Sequence, residues 1–409
     1  MVVIMTLSLD SLRSAAQVYQ PAVIDFTRRL VSTPSLPGLE NEVAAIISNE
    51  MNKLGYDEVW TDQVGNVIGK IKGGNGPSIM LNGHMDHVDT GPVEGWPYPP
   101  FSGQIVDGEL WGRASLDMKG PVACMIYAAA LFKQIGLKPP GDILMTAVVM
   151  EEVSGLGTQH IASQFNAQAA ICGEPSNNIL RRGHRGKVEL VVTFEGRSAH
   201  ASVPHLGVNP HYAAAAFLSA LPTLDLPQDE VLGASTVTPT LYTTDQSSSN
   251  VIPSKVSLIL DWRNVPAESP EMIIAKVKTL LGRSLASRSQ TQGCRATVTI
   301  TDQEFTTYTG VSQLLPSIFP SFLLPETDRF IQQAHTALVN VLGRDDGVDI
   351  WRFATDGGHL MKAGIPTIGF GPGDDKLAHT NQERIPLAQM EEAVICYAAL
   401  VLALAEAAK

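Results

Sequence analysis

The chain has 409 residues, 44% of them hydrophobic and 17% charged, with a formal net charge of −12. That is material for more than one core, since single cores rarely grow past ~250–300 residues. The acidic balance argues against nucleic acid or an anionic membrane as partner, and no apolar run reads as approaching the ~20 residues of a membrane span.

The opening Met1-Val2-Val3-Ile4-Met5 is too short for the apolar core of a signal peptide and has no basic stretch before it. The cysteines, Cys124, Cys172, Cys294 and Cys396, are widely spaced and form no CxxC pair. Reduced thiols and a cytoplasmic setting are expected.

In chain order, residues 7–54 read as helical with a break at Pro37-Gly38. Residues 59–71 read as a strand pair, and 78–81 as a short buried strand. A helix is expected over 122–135, buried strands over 143–150 and 169–172, and a helix over 157–164. Strands alternating with helices imply an α/β fold with a mostly parallel, mixed sheet sandwiched by helices. The pattern changes after Arg181. Residues 187–194 alternate like a half-exposed strand, followed by a helix over 210–221, strands over 235–241 and 251–262, a helix over 270–281 and a strand over 296–300. That β-α-β-β-α-β order is that of a ferredoxin-like α+β unit. The α/β pattern resumes with a helix over 327–342, a strand over 367–370 and a final helix over 387–405. One domain, residues 182–301, is thus read as inserted into another made of 1–181 and 302–409.

Six residues carry the chemistry: His84, Asp117, Glu151, Glu152, Glu174 and His379. Each is read as lying at the exit of a buried strand, where open α/β sheets place their sites. Imidazole nitrogen and carboxylate oxygen suit zinc. Two ions ~3.5–4 Å apart need a group that touches both, and Asp117 is the candidate. His84 and Glu174 could hold one ion, Glu152 and His379 the other. Alternation at a strand end sends Glu151 and Glu152 opposite ways, one toward metal and one toward a water as general base. Asp86 is spaced to orient His84 through its other ring nitrogen. Taken singly, each has a blander reading: a solvated glutamate pair, a strand terminator at Glu174, a satisfied surface histidine at His379. His87, His205 and His211 are read as structural or supporting.

The runs Gly83-His84-Met85-Asp86, Gly112 to Gly120, Glu151-Glu152, Gly173-Glu174-Pro175, Gly196-Arg197-Ser198-Ala199-His200-Ala201-Ser202 and Ala378-His379-Thr380 span nearly the whole chain. Together the chain resembles the dinuclear zinc hydrolases that include aminoacylase, acetylornithine deacetylase, succinyl-diaminopimelate desuccinylase and the glutamate-releasing carboxypeptidases. The resemblance implies two zinc ions per chain, with cobalt or manganese as substitutes, and the ligand set given above. It implies that Glu151 is the general base and Asp86 supports His84. It also implies a cis peptide at Asp117-Met118.

The inserted domain resembles the family's lid and dimerisation domain. His200 is then the residue that polarises the scissile carbonyl, in trans in dimeric relatives. Asn250 and Arg263 match positions that hold a substrate carboxylate, for which arginine's fork is suited. The alternative for Arg263 is an ion pair with a neighbouring acid. The stretch Thr355-Asp356-Gly357-Gly358-His359 resembles a loop that offers backbone amides to substrate, with Gly358 the residue singled out. Ala114 and Leu116 depart from the family pattern. The run Arg181 to Lys187 reads either as an anionic subsite or as a solvated hinge. Residues 305–325 carry no motif and are assigned to the substrate pocket or to packing beneath the sheet.

The expectation is a metal-dependent hydrolase of a small N-acyl amino acid, cytoplasmic, and a homodimer through its lid domain. A dipeptidase or glutamate-type carboxypeptidase is the alternative within the family. A binding protein that lost the chemistry is the alternative outside it.

Overall fold

A computed structural model describes residues 2–286 and 291–409, with side chains from Ser11 onward. Met1, at the start of the leader reading, and residues 287–290, within the segment read as an inserted domain, lie outside the described residues. Contacts divide the chain into two compact units. One comprises Met1–Gly183, Glu304–Gln313 and Leu323–Lys409, the other His184–Gln303 and Leu314–Phe322.

The first unit begins with helices α1 (Val2–Val31) and α2 (Asn41–Lys53). Strands β1 (Glu58–Thr61), β2 (Val67–Ile71) and β3 (Ile79–His84) follow, then a small ribbon, β4 (Gln104–Val106) and β5 (Glu109–Trp111). Helix α3 (Gly120–Gln134), β6 (Ile143–Val148), α4 (Leu156–Gln164), β7 (Ala169–Cys172) and β8 (Leu180–His184) complete this part. The sequence reading passed over β4, β5 and β8, which are short.

The second unit runs through β9 (Lys187–Glu195), β10 (Ala199–His200), α5 (Pro210–Ala220), a hairpin of β11 (Gln228–Asp229) and β12 (Gly233–Ala234), β13 (Thr236–Thr244), β14 (Val251–Ile252), β15 (Lys255–Arg263), α6 (Pro270–Ala286) and β16 (Arg295–Ile300). The hairpin β17 (Asp302–Thr306) and β18 (Ser312–Pro316), then β19 (Ile318–Phe319) and β20 (Phe322–Leu323), lead back. The chain ends with α7 (Arg329–Leu342), β21 (Val348–Trp351), α8 (Gly357–Lys362), β22 (Thr367–Gly369), β23 (Arg384–Pro386) and α9 (Leu387–Ala407).

The main sheet of the first unit has the order β1-β2-β6-β3-β7-β22-β8. Its centre is parallel: β3 pairs in parallel with β6 and β7, and β7 with β22, whereas β1, β2 and β8 pair antiparallel. Every residue of β3, β6 and β7 is buried, as continuous apolar strands covered on both faces must be. Helices α3 and α9 are apolar nearly all round and pack together with α1. Helix α9 corrects the expectation about apolar runs. Among the described residues it is the one helix long and apolar enough to cross a membrane, yet 67% of its most apolar stretch is buried in the molecule, the property of a core helix.

The second unit's sheet is antiparallel throughout, in the order β13-β15-β9-β16, with β19 also on β9. Strands β9 and β15 alternate buried and half-exposed residues, because one face carries α5 and α6. Their inward side chains, Leu190, Val192, Phe194, Leu258, Leu260 and Trp262, meet Phe217 and Val277 in one core. The expected single strand over 251–262 is two, because Pro253 lacks the N–H a ladder needs.

Candidate metal centre

The centre starts from the parallel strands β6, β3 and β7. Their register pairs His84 with Val148 and Asn82 with Cys172, so their carboxyl ends lie side by side at strand spacing, ~4.8 Å. His84 ends the middle strand and is buried. Glu151 and Glu152 follow β6 in a turn, not on the strand as expected. Met150 has φ +56°, and this left-handed residue breaks the alternation before the glutamates are reached. Glu174 stands two residues beyond β7 and is buried. Ligand atoms of His84, Glu151 and Glu174 lie within 4.8 Å of one another. So do those of His84, Asp117 and Glu152.

Asp117 and His379 do not come from strand exits. Asp117 lies in the turn Ser115–Lys119 that leads into α3, with a non-helical backbone (φ −125°, ψ 88°), and its bond to Met118 is cis. His379, at φ +61°, is in the loop after the short turn Asp375–Leu377. Asp117 Oδ1 is 3.1 Å from His84 Nε2, and Oδ2 is 3.1 Å from His379 Nε2. His379 Nε2 is also 3.0 Å from Glu152 Oε2, and His84 Nε2 is 3.6 Å from Glu174 Oε1. Each histidine thus faces one oxygen of Asp117 and one glutamate.

The support for His84 differs from expectation in one respect. Its Nδ1 is nearest the main-chain carbonyl of Asp86, at 3.1 Å, with the Asp86 carboxylate at 3.5 Å. With Nδ1–H donating there, Nε2 is the atom left for a ligand bond. The two Asp86 carboxylate oxygens instead accept the backbone N–H groups of Glu151 and Glu152, at 3.1 and 3.0 Å.

The electrostatics call for positive charge. Burial, and after it neighbouring acids, push Glu151 and Glu174 well above the usual carboxylate range, with His84 opposing. Burial works against a charged His84, yet the Asp117 hydrogen bond and the charges of Glu174, Glu151 and Asp86 raise it well above its ordinary value. Hydrogen bonds to Asp117 and Glu152 push His379 up to about 10. Among the described residues, every ion pair of Asp117, Glu152 and Glu174 is with one of these histidines. Glu152 Oε1 is buried with no hydrogen-bond partner. Buried carboxylates held this close stay ionised only with cations among them. The donor set of imidazole nitrogen and carboxylate oxygen fits divalent metal.

Sequence reading missed the residues behind Asp117. Glu383, fully buried, accepts the Asp117 N–H on Oε1 at 3.3 Å and holds the Arg113 guanidinium with its other oxygen. The buried Lys119 donates to the Thr33 carbonyl at 2.6 Å. Arg113 and Lys119 fall inside the Gly112 to Gly120 run, and Glu383 only four residues after His379. Their proximity to motif residues was the available signal.

The remaining predicted residues belong to the second unit or lie elsewhere in the first. His200, exposed on β10, pairs in register with Val251 of β14, next to Asn250, and its Nδ1 is 2.7 Å from Ser202 Oγ. Asn250 is also exposed, and its Oδ1 accepts from Ser248. Arg263 is not with them. It ends β15, eight residues beyond Lys255, a run of roughly 26 Å. Its fork is taken by Asp261, at 2.7 and 3.0 Å, which is the ion-pair alternative. Gly358 lies in α8, where its N–H donates to the Thr355 carbonyl at 3.2 Å. Arg181 pairs with Asp349 and Arg182 with Glu326. Both arginines are buried, so neither is an open anionic subsite or part of a solvated hinge. Of the segment 305–325, the tip of the β17–β18 hairpin is anchored on the turn before β2, with Tyr308 OH donating to the Gly65 carbonyl at 2.8 Å and Thr309 to that of Gln63.

Residues 80–403 match the peptidase family M20/M25/M40. The chain belongs to this family. Its relatives include the uncharacterised Escherichia coli (strain K12) protein YgeY, 30% identical over 95% of both chains. A probable succinyl-diaminopimelate desuccinylase of Staphylococcus epidermidis is 38% identical over 36% of this chain and 37% of its own. Among solved structures, the Bacillus subtilis YXEP protein, a dinuclear metal-binding peptidase of the M20 family, superposes with a TM-score of 0.70 at 17% identity, covering 95% of this chain and 99% of its own. As an M20 family member, the chain is a metal-dependent hydrolase of peptides or amides.

Proposed function

We propose that this M20 hydrolase cleaves the amide bond of a small N-acyl amino acid with two divalent cations, zinc in the first instance and cobalt or manganese as substitutes. The observation that carries the reading is Asp117, whose two oxygens face two histidines at 3.1 Å each. His84 and Glu174 would hold one ion and His379 and Glu152 the other, with Asp117 offering one oxygen to each. Two cations bound there supply Lewis acidity, making water nucleophilic at neutral pH and polarising the amide carbonyl.

Glu151 is assigned as general base. Its carboxylate takes a proton from the attacking water and passes it to the leaving amine nitrogen. Asp86 keeps the Glu151 main chain in place through the amide it accepts. His200 and Asn250 are assigned to substrate, His200 at the carbonyl oxygen. Dimerisation through the second unit is supported by β13. It is an edge strand, and its Leu241 and Tyr242 are 60% and 45% exposed, with Tyr242 stacked on His211 of α5, an edge that solitary chains normally protect. Four free cysteines are compatible with a reducing compartment.

The deacylase reading takes support from the desuccinylase relative. A dipeptidase or carboxypeptidase is favoured instead by the peptidase named among the solved structures. The test is elemental analysis for metal together with hydrolysis of N-acetyl, N-succinyl and N-formyl amino acids and dipeptides by native, chelated and Glu151→Gln protein. Two metals per chain, with turnover lost on chelation and in E151Q, is the expected result. An active E151Q overturns the base assignment, and dipeptides as the sole substrates overturn the deacylase reading.

A further inference from the structure

The turn that carries Glu151 and Glu152 has an unusual set of acceptors. Strand β6 ends at Val148, and the next four backbone N–H groups all go to side chains. Val149 N–H donates to Asn66 Oδ1 at 3.0 Å and Met150 N–H to Glu40 Oε1 at 3.2 Å. Glu151 and Glu152 donate to the two oxygens of Asp86. All three acceptor residues are fully buried. A buried amide needs an acceptor, but one from the main chain or a neutral side chain would serve. Here two of the three acceptors are carboxylates, placed where acids already crowd.

Glu40 makes the point most clearly. It occupies the N-cap position of α2, yet its side chain makes no capping bond to that helix; its Oε1 goes across to Met150 instead. Asn66 is fixed just as firmly. Its Nδ2 donates to Asp62 Oδ2 at 2.8 Å and to the Gly157 carbonyl at 3.0 Å. Asp62 Oδ1 in turn accepts the N–H groups of Val64, Gly65 and Asn66. Met150, between the two clamped ends, is in the left-handed region that a methionine disfavours. The Ser154 and Gly155 N–H groups close the far side of the turn on the Met150 carbonyl, at 3.1 and 2.9 Å. The N–H side of residues 149–152 is held by these side-chain acceptors alone.

We propose that Glu40 and Asn66 are positioning residues. With Asp86 they form a clamp on four consecutive amides that sets where the Glu151 and Glu152 carboxylates stand. The proposal rests on the assignment of Glu152 to metal and Glu151 to proton transfer, so its test carries separate controls for those roles.

The variants are Glu40→Ala, Glu40→Gln and Asn66→Ala, with Glu152→Ala as control. Two properties are measured: hydrogen exchange of residues 149–152 in metal-free protein, and Zn2+ affinity by competition with a chromophoric chelator. In E40A and N66A the four amides lose protection while β6 keeps its own. The weaker Zn2+ site loses about 10–100-fold in affinity, the usual effect of removing a group that orients a ligand. E40Q retains an oxygen for Met150 and stays near wild type, which a requirement for charge alone does not allow. Unchanged exchange and Zn2+ affinity in E40A and N66A overturn the clamp, as does equal loss of protection along β6, the mark of a merely structural role. Should N66A not fold, the two Glu40 variants decide. Zn2+ affinity unchanged in E152A overturns the ligand assignment instead, and the exchange data still judge the clamp.

Discussion

Glu383 holds Asp117 from behind, accepting its backbone N–H on Oε1 at 3.3 Å while the other carboxylate oxygen engages the Arg113 guanidinium. The residue between the two histidines is thus fixed through its main chain by a group that touches neither. Arg113 is only 3% exposed, so Glu383→Ala strands a buried cation. The expected loss is about 3–5 kcal/mol in urea unfolding. Glu383→Gln, whose single amide oxygen can still accept from one of the two donors, loses less. Equal stability of E383A and wild type would show that the pair is not needed to hold the turn.

Metal is expected to stabilise the protein by binding the native centre alone. At a free concentration of 100 times Kd the gain is about 2.7 kcal/mol. Thermal melting of chelated and Zn2+-loaded protein checks this. In Asp117→Asn, which cannot present two anionic oxygens, most of the Zn2+-dependent rise in Tm is lost.

His87 gives a pH dependence that belongs to no proposed ligand. Its Nε2 accepts the Ser35 N–H at 2.9 Å and its Nδ1 lies 2.7 Å from the Val88 carbonyl. Burial, and then the charge of Lys119, lower it from 6.5 to about 4, against the Val88 hydrogen bond. The unfolded chain therefore binds the extra proton between those values, and stability falls as pH falls. The contribution is complete above pH 6.5 and is lost on the way down to about 4, at most ~3 kcal/mol. Tm measured across that window slopes less steeply in His87→Gln.

In the second unit, Phe217 is fully buried against Phe194, with ring centroids 5.9 Å apart. Phe217→Ala should cost about 3–5 kcal/mol, read by denaturant unfolding. An equally conservative change at the half-exposed outward positions of β9 should cost little.

Much of this was legible in the sequence, for physical reasons. Continuous apolar runs such as Ala169–Cys172 have one solution, a strand covered on both faces. The β9 and β15 alternation has another, a sheet with one face packed. The polar residues that end such runs, His84 and Glu174, were therefore visible as a site. So was the family, because its motifs span the chain and match in order.

What the linear chain could not decide was which oxygen faces which nitrogen. Asp117 and His379 reach the centre from a turn and a loop, where no periodicity reports direction. The Glu151-Glu152 turn reads as strand in the sequence because the left-handed Met150 leaves no mark in composition. Glu40, Asn66 and Glu383 read as ordinary polar residues and acquire a role only through partners 83 to 266 positions away. Arg263 shows the converse, since its side chain was spoken for by an acid two residues back. Hydrophobic pattern alone determined the layers and the family motifs marked the candidate ligands, because burial and local chemistry are written residue by residue. The geometry of the centre was decided by tertiary structure, because hydrogen bonds between buried groups depend on where distant segments meet.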